Sequence, residues 1–450
     1  MYAAASVKRL KVTREATRPM ENAETFQGIG RIEYKPDANY TCDEQLSYRY
    51  YNAAERIHGR TMEEWLRPSV VYNTEMSFYT HQAPILYKTL EARHTSMETT
   101  KKNIRAMFEL CLKMGVKFWS GYEDDLVPDG DTFEENSTNY EQICELLNEY
   151  QQKTGVKPLW IGVNFQHSRY ANGAMTNPDP NVMAFAGYQT KRTIEMAHRL
   201  NAECFLINGH RETYVNTLNT DLGKEIKHYS RFLKLLIEHR DKIGFRGQML
   251  FAHQNNLSNT DTLSQHEHYY TNNAFDLMLL LKHLNYDRYF KINVRPGHAF
   301  NMAHAYGCSG CLNIKCPEDI TTATLTIHAI VEKGGFGQCG ITFDLPFNNQ
   351  SYIEAKEAME LYVSALDSYG KALRFAVKLL NDTPINKQLQ TRYSGFQTGW
   401  GMKFMTLDAS LQECEDVVKK LNESNAPYTS NKSNHWFVVL QRYVDAQNLK

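Results

Sequence analysis

The sequence predicts a (β/α)₈ barrel, and three observations carry that expectation. Short apolar runs with strand character alternate along the chain with longer amphipathic helical runs. Eight strand candidates can be counted, mostly separated by helices, which favours a closed barrel over a doubly wound sheet. The 450 residues are 42% apolar, enough for one large core with added tails.

The first strand candidate is SVVYN at 69–73. A helix follows over 98–114, where Ile104, Met107, Phe108, Cys111 and Leu112 form the i, i+3, i+4, i+7, i+8 stripe of an amphipathic helix. Gly115 ends it, and VKFWS at 116–120 continues as a buried strand. KPLWIGV (157–163), ECFLIN (203–208), GQMLFA (247–252), RYFKINV (288–294), GCLNI (310–314) and CGITFD (339–344) complete the set. Helical patterns at 181–200, 223–241, 272–284 and 320–333 lie between them. The glycines of GGFG, 334–337, lack the spacing of a phosphate loop and read as a helix end entering a strand. There is no internal repeat. The organisation is a basic N-terminal arm or targeting segment at 1–25, a barrel at 26–383 and a C-terminal oligomerisation or docking tail at 384–450.

Composition removes several classes of function. A net charge of -1 provides no field for nucleic acid or anionic membrane, and no apolar run is long enough to span a bilayer. Nine cysteines in no regular framework, without a secretory signal, read as reduced intracellular thiols, so sequons such as Asn136 and Asn349 carry no weight. A cytoplasmic location is expected. The mitochondrion is the alternative, because Lys8, Arg9, Lys11 and Arg14 precede the first acid, Glu15, as in a transit peptide.

Four segments carry a family resemblance: NFQHSRYANGAMTNPDP at 164–180, FLINGHRETYVNTLNTDL at 205–222, KINVRPGHA at 291–299 and GGFGQCGITFD at 334–344. In this order they resemble xylose isomerases, the metal-dependent aldose–ketose isomerases, and the likeness extends over nearly all of the chain after residue 26. The resemblance implies a TIM barrel, two divalent cations (Mg²⁺ or Mn²⁺) in a carboxylate-rich cage, and a tail that wraps a neighbouring subunit. The loop 164–180 is read as scaffold, held by its own side-chain-to-backbone bonds.

The slots for that chemistry are mostly filled by other residues. Where the family has its ring-opening His, this chain has Tyr122, followed by Glu123. The sugar-facing Trp corresponds to Asn208, while Arg211 and Glu212 remain as substrate-like contacts. Ala252 and Gln254 replace a ligand Glu and the catalytic Lys. Arg295 replaces a bridging Glu, Asn313 replaces an Asp, and the loop with two further Asp ligands is missing. Only His298 and Asp344 survive as vestigial ligands. Asp124, Asp125 and Asp129 read as a solvated acidic turn. No catalytic or metal residue is therefore expected, and the guanidinium of Arg295 is expected in the old metal volume, paired with Asp344 or a nearby acid.

Two further clusters were weighed. Cys308, Cys311 and Cys316 form C-x₂-C-x₄-C downstream of His298 and His304, a pattern that could hold zinc. His266, Glu267 and His268 read as an exposed loop. The expected function is that of a pseudoenzyme: a structural or assembly subunit, homo-oligomeric or in a larger complex, without cofactor. The alternatives are a metal-poor isomerase or epimerase using Tyr122, Glu123, His298 and Asp344, and a non-catalytic sugar-binding module using Arg211 and Glu212.

Overall fold

The computed structural model describes residues 24–37, 46–72, 96–209, 211–252, 268–271, 273–315, 318–345, 355–421 and 433–448. Its eight barrel strands are β1 (Ser69–Tyr72), β2 (Phe118–Tyr122), β3 (Lys157–Asn164), β4 (Cys204–Asn208), β5 (Gln248–Ala252), β6 (Phe290–Val294), β7 (Ser309–Ile314) and β8 (Ile341–Phe343). All neighbours are parallel, and β8 closes on β1 through Thr342 beside Ser69 and Phe343 beside Val70. The (β/α)₈ TIM barrel expected from the alternation is the observed fold. Strand β2 lies two residues later than its apolar run implied, so Tyr122 is its last residue rather than part of a loop.

Eight helices cover the barrel: α1 (Met97–Met114), α2 (Phe133–Thr154), α3 (Pro180–Arg199), α4 (Leu222–Ile243), α5 (Ala274–His283), α6 (His298–Ala305), α7 (Ile320–Glu332) and α8 (Ala355–Asn381). Local chemistry sets their ends. Ser96, Thr132, Asp179, Asp221, Asn273 and Asp319 cap exposed amides at six N-termini. Gly115, Gly155 and Gly244 follow α1, α2 and α4 in the left-handed conformation that only glycine adopts cheaply.

Two buried layers result. The larger lies between strands and helices, and the smaller fills the lumen with Val71, Leu159, Trp160, Cys204, Leu206, Leu250, Cys311 and Cys339. The N-terminal segment packs onto α1, where the Glu109 carboxylate accepts the amides of Thr25 at 2.8 Å and Phe26 at 2.9 Å. The segment before the first strand is tied to α8: half-buried Asp367 accepts the amides of Tyr50 at 2.6 Å and Tyr51 at 2.8 Å. The basic arm 1–23 lies outside the described residues.

Gly370 is where α8 and that segment touch. A Cβ there would stand 2.8 Å from Tyr51 Cα and 2.9 Å from its nitrogen, so backbone would have to move. Gly370→Ala should cost about 1–3 kcal/mol in urea unfolding. Gly187→Ala on α3, where nothing lies within 4 Å, should gain up to about 1 kcal/mol.

Candidate functional site

Which side chains face the lumen follows from register. Paired residues of neighbouring parallel strands share a face, and faces alternate along each strand. Leu206 and Leu250 lie in the lumen cluster, and their register partners are Gly162 and Lys291. Two residues further, the same face carries Asn164 beside Asn208 and Ala252 beside Asn293. Across β2 and β3, Tyr122 pairs with Gly162, and across β7 and β8, Asn313 pairs with Thr342, which precedes Asp344 by two. The lumen layer at the carboxyl ends of the strands is therefore Tyr122, Asn164, Asn208, Ala252, Asn293, Asn313 and Asp344. Among the described residues it holds one carboxylate, Asp344, with those of Asp124 and Asp125 acting on Tyr122 from the turn after β2. The amide oxygens of Asn164, Asn293 and Asn313 are buried there without a protein hydrogen-bond partner.

Tyr122 packs its ring against Trp160, with centroids 5.1 Å apart, and its hydroxyl lies 3.5 Å from the Asn208 amide nitrogen. Burial, followed by the charges of Asp344, Asp124 and Asp125, pushes the phenol above its ordinary pKa. It stays protonated at neutral pH, opposite to what a general base requires. Glu123 turns away from the lumen, is fully buried, and pairs at 2.6 Å with the partly exposed Arg192 of α3. Burial raises its carboxyl to about 7, against the opposing pull of Arg192. The acid–base pairing of Tyr122 with Glu123 is thus not assembled.

The expected pair between Arg295 and Asp344 is not formed either. Asp344 meets Lys315 at 3.5 Å, because Lys315 leaves the end of β7 directly beside it. Arg295 is half-buried and acts instead on Glu318, partly offsetting the burial that raises that carboxyl. His298 opens α6 on the surface, with its ring 5.5 Å from Phe275. Asp129 is exposed, as expected, whereas Asp124 and Asp125 are half-buried in a helical turn over Glu123–Leu126 rather than in a solvated loop. Gln254, His266 and Glu267 lie outside the described residues, whereas His268 is exposed in a two-residue strand pairing with Thr213–Tyr214 rather than in a loop.

Arg211 and Glu212 serve the chain itself. Glu212, fully buried, accepts the amides of Ala174 at 3.0 Å, Met175 at 2.8 Å and Thr176 at 3.1 Å, with the Thr176 hydroxyl at 2.5 Å. Arg211 Nε donates to the Gln166 carbonyl at 2.9 Å. Both residues hold the 164–180 loop, so their polar groups are committed to backbone rather than to a substrate. The scaffold reading of that loop agrees with these bonds.

The cysteine triplet read from spacing is also rearranged. Cys311 faces the lumen, but Cys308, three residues earlier and so of opposite pleat, gives its thiol to the Ala303 carbonyl. Cys316 lies outside the described residues. His304 is occupied, with Nδ1 3.1 Å from Ser309 Oγ and Nε2 2.9 Å from the Ala329 carbonyl. Cys311 instead joins Cys204 and Cys339, the one group of three or more His, Cys, Asp or Glu within mutual ligand reach among the described residues. Sequence spacing gave no signal for this set, since Cys204 is far from the other two along the chain.

Two substitutions test these assignments. Glu123 is raised in the folded state, so the stability it contributes is complete below about 4.5 and is lost as pH rises through about 7. Arg192→Ala should cost about 3–5 kcal/mol at pH 8, where a buried carboxylate is left uncompensated, and clearly less at pH 5. Glu212→Ala leaves three buried amides without an acceptor. It should lower stability by about 1–3 kcal/mol for each, and amide exchange should accelerate first within 164–180.

No protein-family model matches the chain. It is 30% identical over 437 residues to a xylose isomerase of Hordeum vulgare, covering 90% of this chain and 87% of that one. It is 28% identical over 448 residues to a xylose isomerase of Bacillus velezensis, covering 92% and 98%. Among solved structures it is similar to a 3-keto-D-glucoside 4-epimerase from E. coli, at 9% identity and a TM-score of 0.43, covering 68% of this chain and 98% of that one. With the four segments of its loops and strand ends, this likeness over nine tenths of its length makes the chain a member of the xylose isomerase family.

Proposed function

We propose that this chain is a pseudoenzyme of its family: a xylose isomerase-like barrel that has lost metal-dependent sugar isomerisation and acts as a structural or assembly subunit. The observation that carries this reading is the strand-end layer of the lumen. A pair of hard cations such as Mg²⁺ needs oxygen ligands in near-octahedral array, mostly anionic. The layer offers neutral amides, a protonated phenol, Ala252 and one carboxylate, and that carboxylate already has Lys315 as counter-ion. His298 is exposed on α6. These donors do not fit the family's two-cation cage, so no reaction step is drawn through one.

The assembly role rests on the tail. Met402, Phe404, Met405, Leu407 and Leu411 are exposed, and the last two are 92% and 89% accessible. Contiguous apolar surface of this kind marks an interaction face, and the family resemblance makes a second copy of this chain its occupant. No helix among the described residues is long and apolar enough to cross a membrane, and all seven described cysteines are free thiols. A reducing intracellular compartment, cytoplasmic or mitochondrial, suits them.

A second reading, a metal-free sugar-binding module, is favoured by the three unpartnered amide oxygens of Asn164, Asn293 and Asn313. Buried polar atoms usually have partners, and neutral sugar hydroxyls would supply them.

The purified chain, given Mg²⁺ or Mn²⁺, should interconvert xylose and xylulose no faster than a protein-free control. Turnover that disappears in Asp344→Asn would refute the proposal. Sedimentation should give an oligomer that Met405→Lys with Leu411→Lys dissociates. Calorimetric xylose binding without metal, weakened by Asn164→Ala, would select the binding module instead.

A further inference from the structure

The amino-terminal end of the lumen holds chemistry that neither the proposed function nor the family cage uses. Cys204 opens β4, Cys311 is the third residue of β7, and Cys339 stands two residues before β8. β4 and β8 are on opposite walls, so these thiols meet across the lumen. All three are buried, at 0%, 0% and 3% accessibility, and their sulfurs lie within 4.8 Å of one another. The Cys204 and Cys339 sulfurs are 3.9 Å apart. A disulfide requires about 2.05 Å. Three sulfurs around a central ion at a bond length of about 2.3 Å would be about 3.8–4.0 Å apart, so the observed separation matches ligands of a shared ion.

We propose that Cys204, Cys311 and Cys339 bind one thiophilic d¹⁰ cation, Cu⁺ or Zn²⁺, at the closed end of the barrel. Thiolates select soft ions over Mg²⁺ and Mn²⁺. Three ligands suit trigonal Cu⁺. Zn²⁺ would add a fourth donor, for which the Gln338 carbonyl is placed, since it already lies 3.6 Å from the Cys204 sulfur. Arg67 Nε donates to the Cys339 carbonyl at 2.9 Å, fixing that residue's backbone. Hydrogen bonds from the other two thiols hold Cys339 well below the ordinary thiol pKa, while burial raises Cys204 and Cys311. A cation arriving among these thiols displaces their protons to solvent. Single buried cysteines ordinarily act as small apolar residues, and Cys111 and Cys144, each raised by burial to about 12, fit that description. Convergence from three strands distinguishes the lumen set. A bound ion would tie β4 to β7 and to the entry of β8 as a structural cross-link.

The test uses the full chain, reduced and anaerobic, loaded separately with Cu⁺ or Zn²⁺ and passed over a desalting column. About one equivalent of at least one metal should be retained. Retention should fall about tenfold in Cys204→Ser, Cys311→Ser and Cys339→Ser and hold in Cys308→Ser and Cys414→Ser. X-ray absorption of the loaded wild-type protein, which needs no variant to fold, should give three sulfur neighbours at about 2.3 Å. Negligible retention of both metals, or a coordination shell of nitrogen and oxygen alone, overturns the site.

Discussion

Closure of the parallel sheet between β8 and β1 is the constraint on which the rest of the molecule depends. Once eight strands are in register, side-chain alternation assigns each residue to the lumen or to the helix layer, without further choice. Asn208, Ala252 and Asn313 face the lumen for the same reason as Leu206, Leu250 and Cys311. A barrel that retains this register retains the geometry of its ancestor's strand ends, whatever side chains stand there. The fold can therefore outlive the chemistry.

Charge is handled locally once the cation cage is no longer assumed. Three carboxylates near the strand ends have their own partners: Arg192 for Glu123, Lys315 for Asp344, and backbone amides for Glu212. An uncompensated carboxylate in a low-dielectric setting is too costly to persist. Such pairs add little net stability, yet they are expensive to break once formed. Glu212 holds the backbone of the loop 164–180 directly.

The two ends of the lumen have diverged in opposite directions. The carboxyl end, where barrel enzymes hold their chemistry, is rich in amides, with Asp344 paired to Lys315. The amino end, ordinarily a matter of stability, carries three converging thiols. Outside the barrel, the tail presents exposed apolar side chains from Met402 to Leu411.

Much of this was legible in the amino-acid order. Strand–helix alternation, the glycine after α1 and the apolar stripe of α1 depend on near neighbours, so local periodicity reveals them. The family resemblance located the strand ends at Ala252 and Asn313. Pleat parity alone separates Cys308 from Cys311, three residues apart. Partner choice was not legible. Lys315 rather than Arg295 meets Asp344, Arg192 captures Glu123, and Cys204 joins Cys339 across 135 positions. Parity says which face a side chain takes, but distance and burial across a closed barrel exist only when all eight strands are in place. The sequence by itself determined the elements and their faces. The tertiary structure decided which charges and thiols meet.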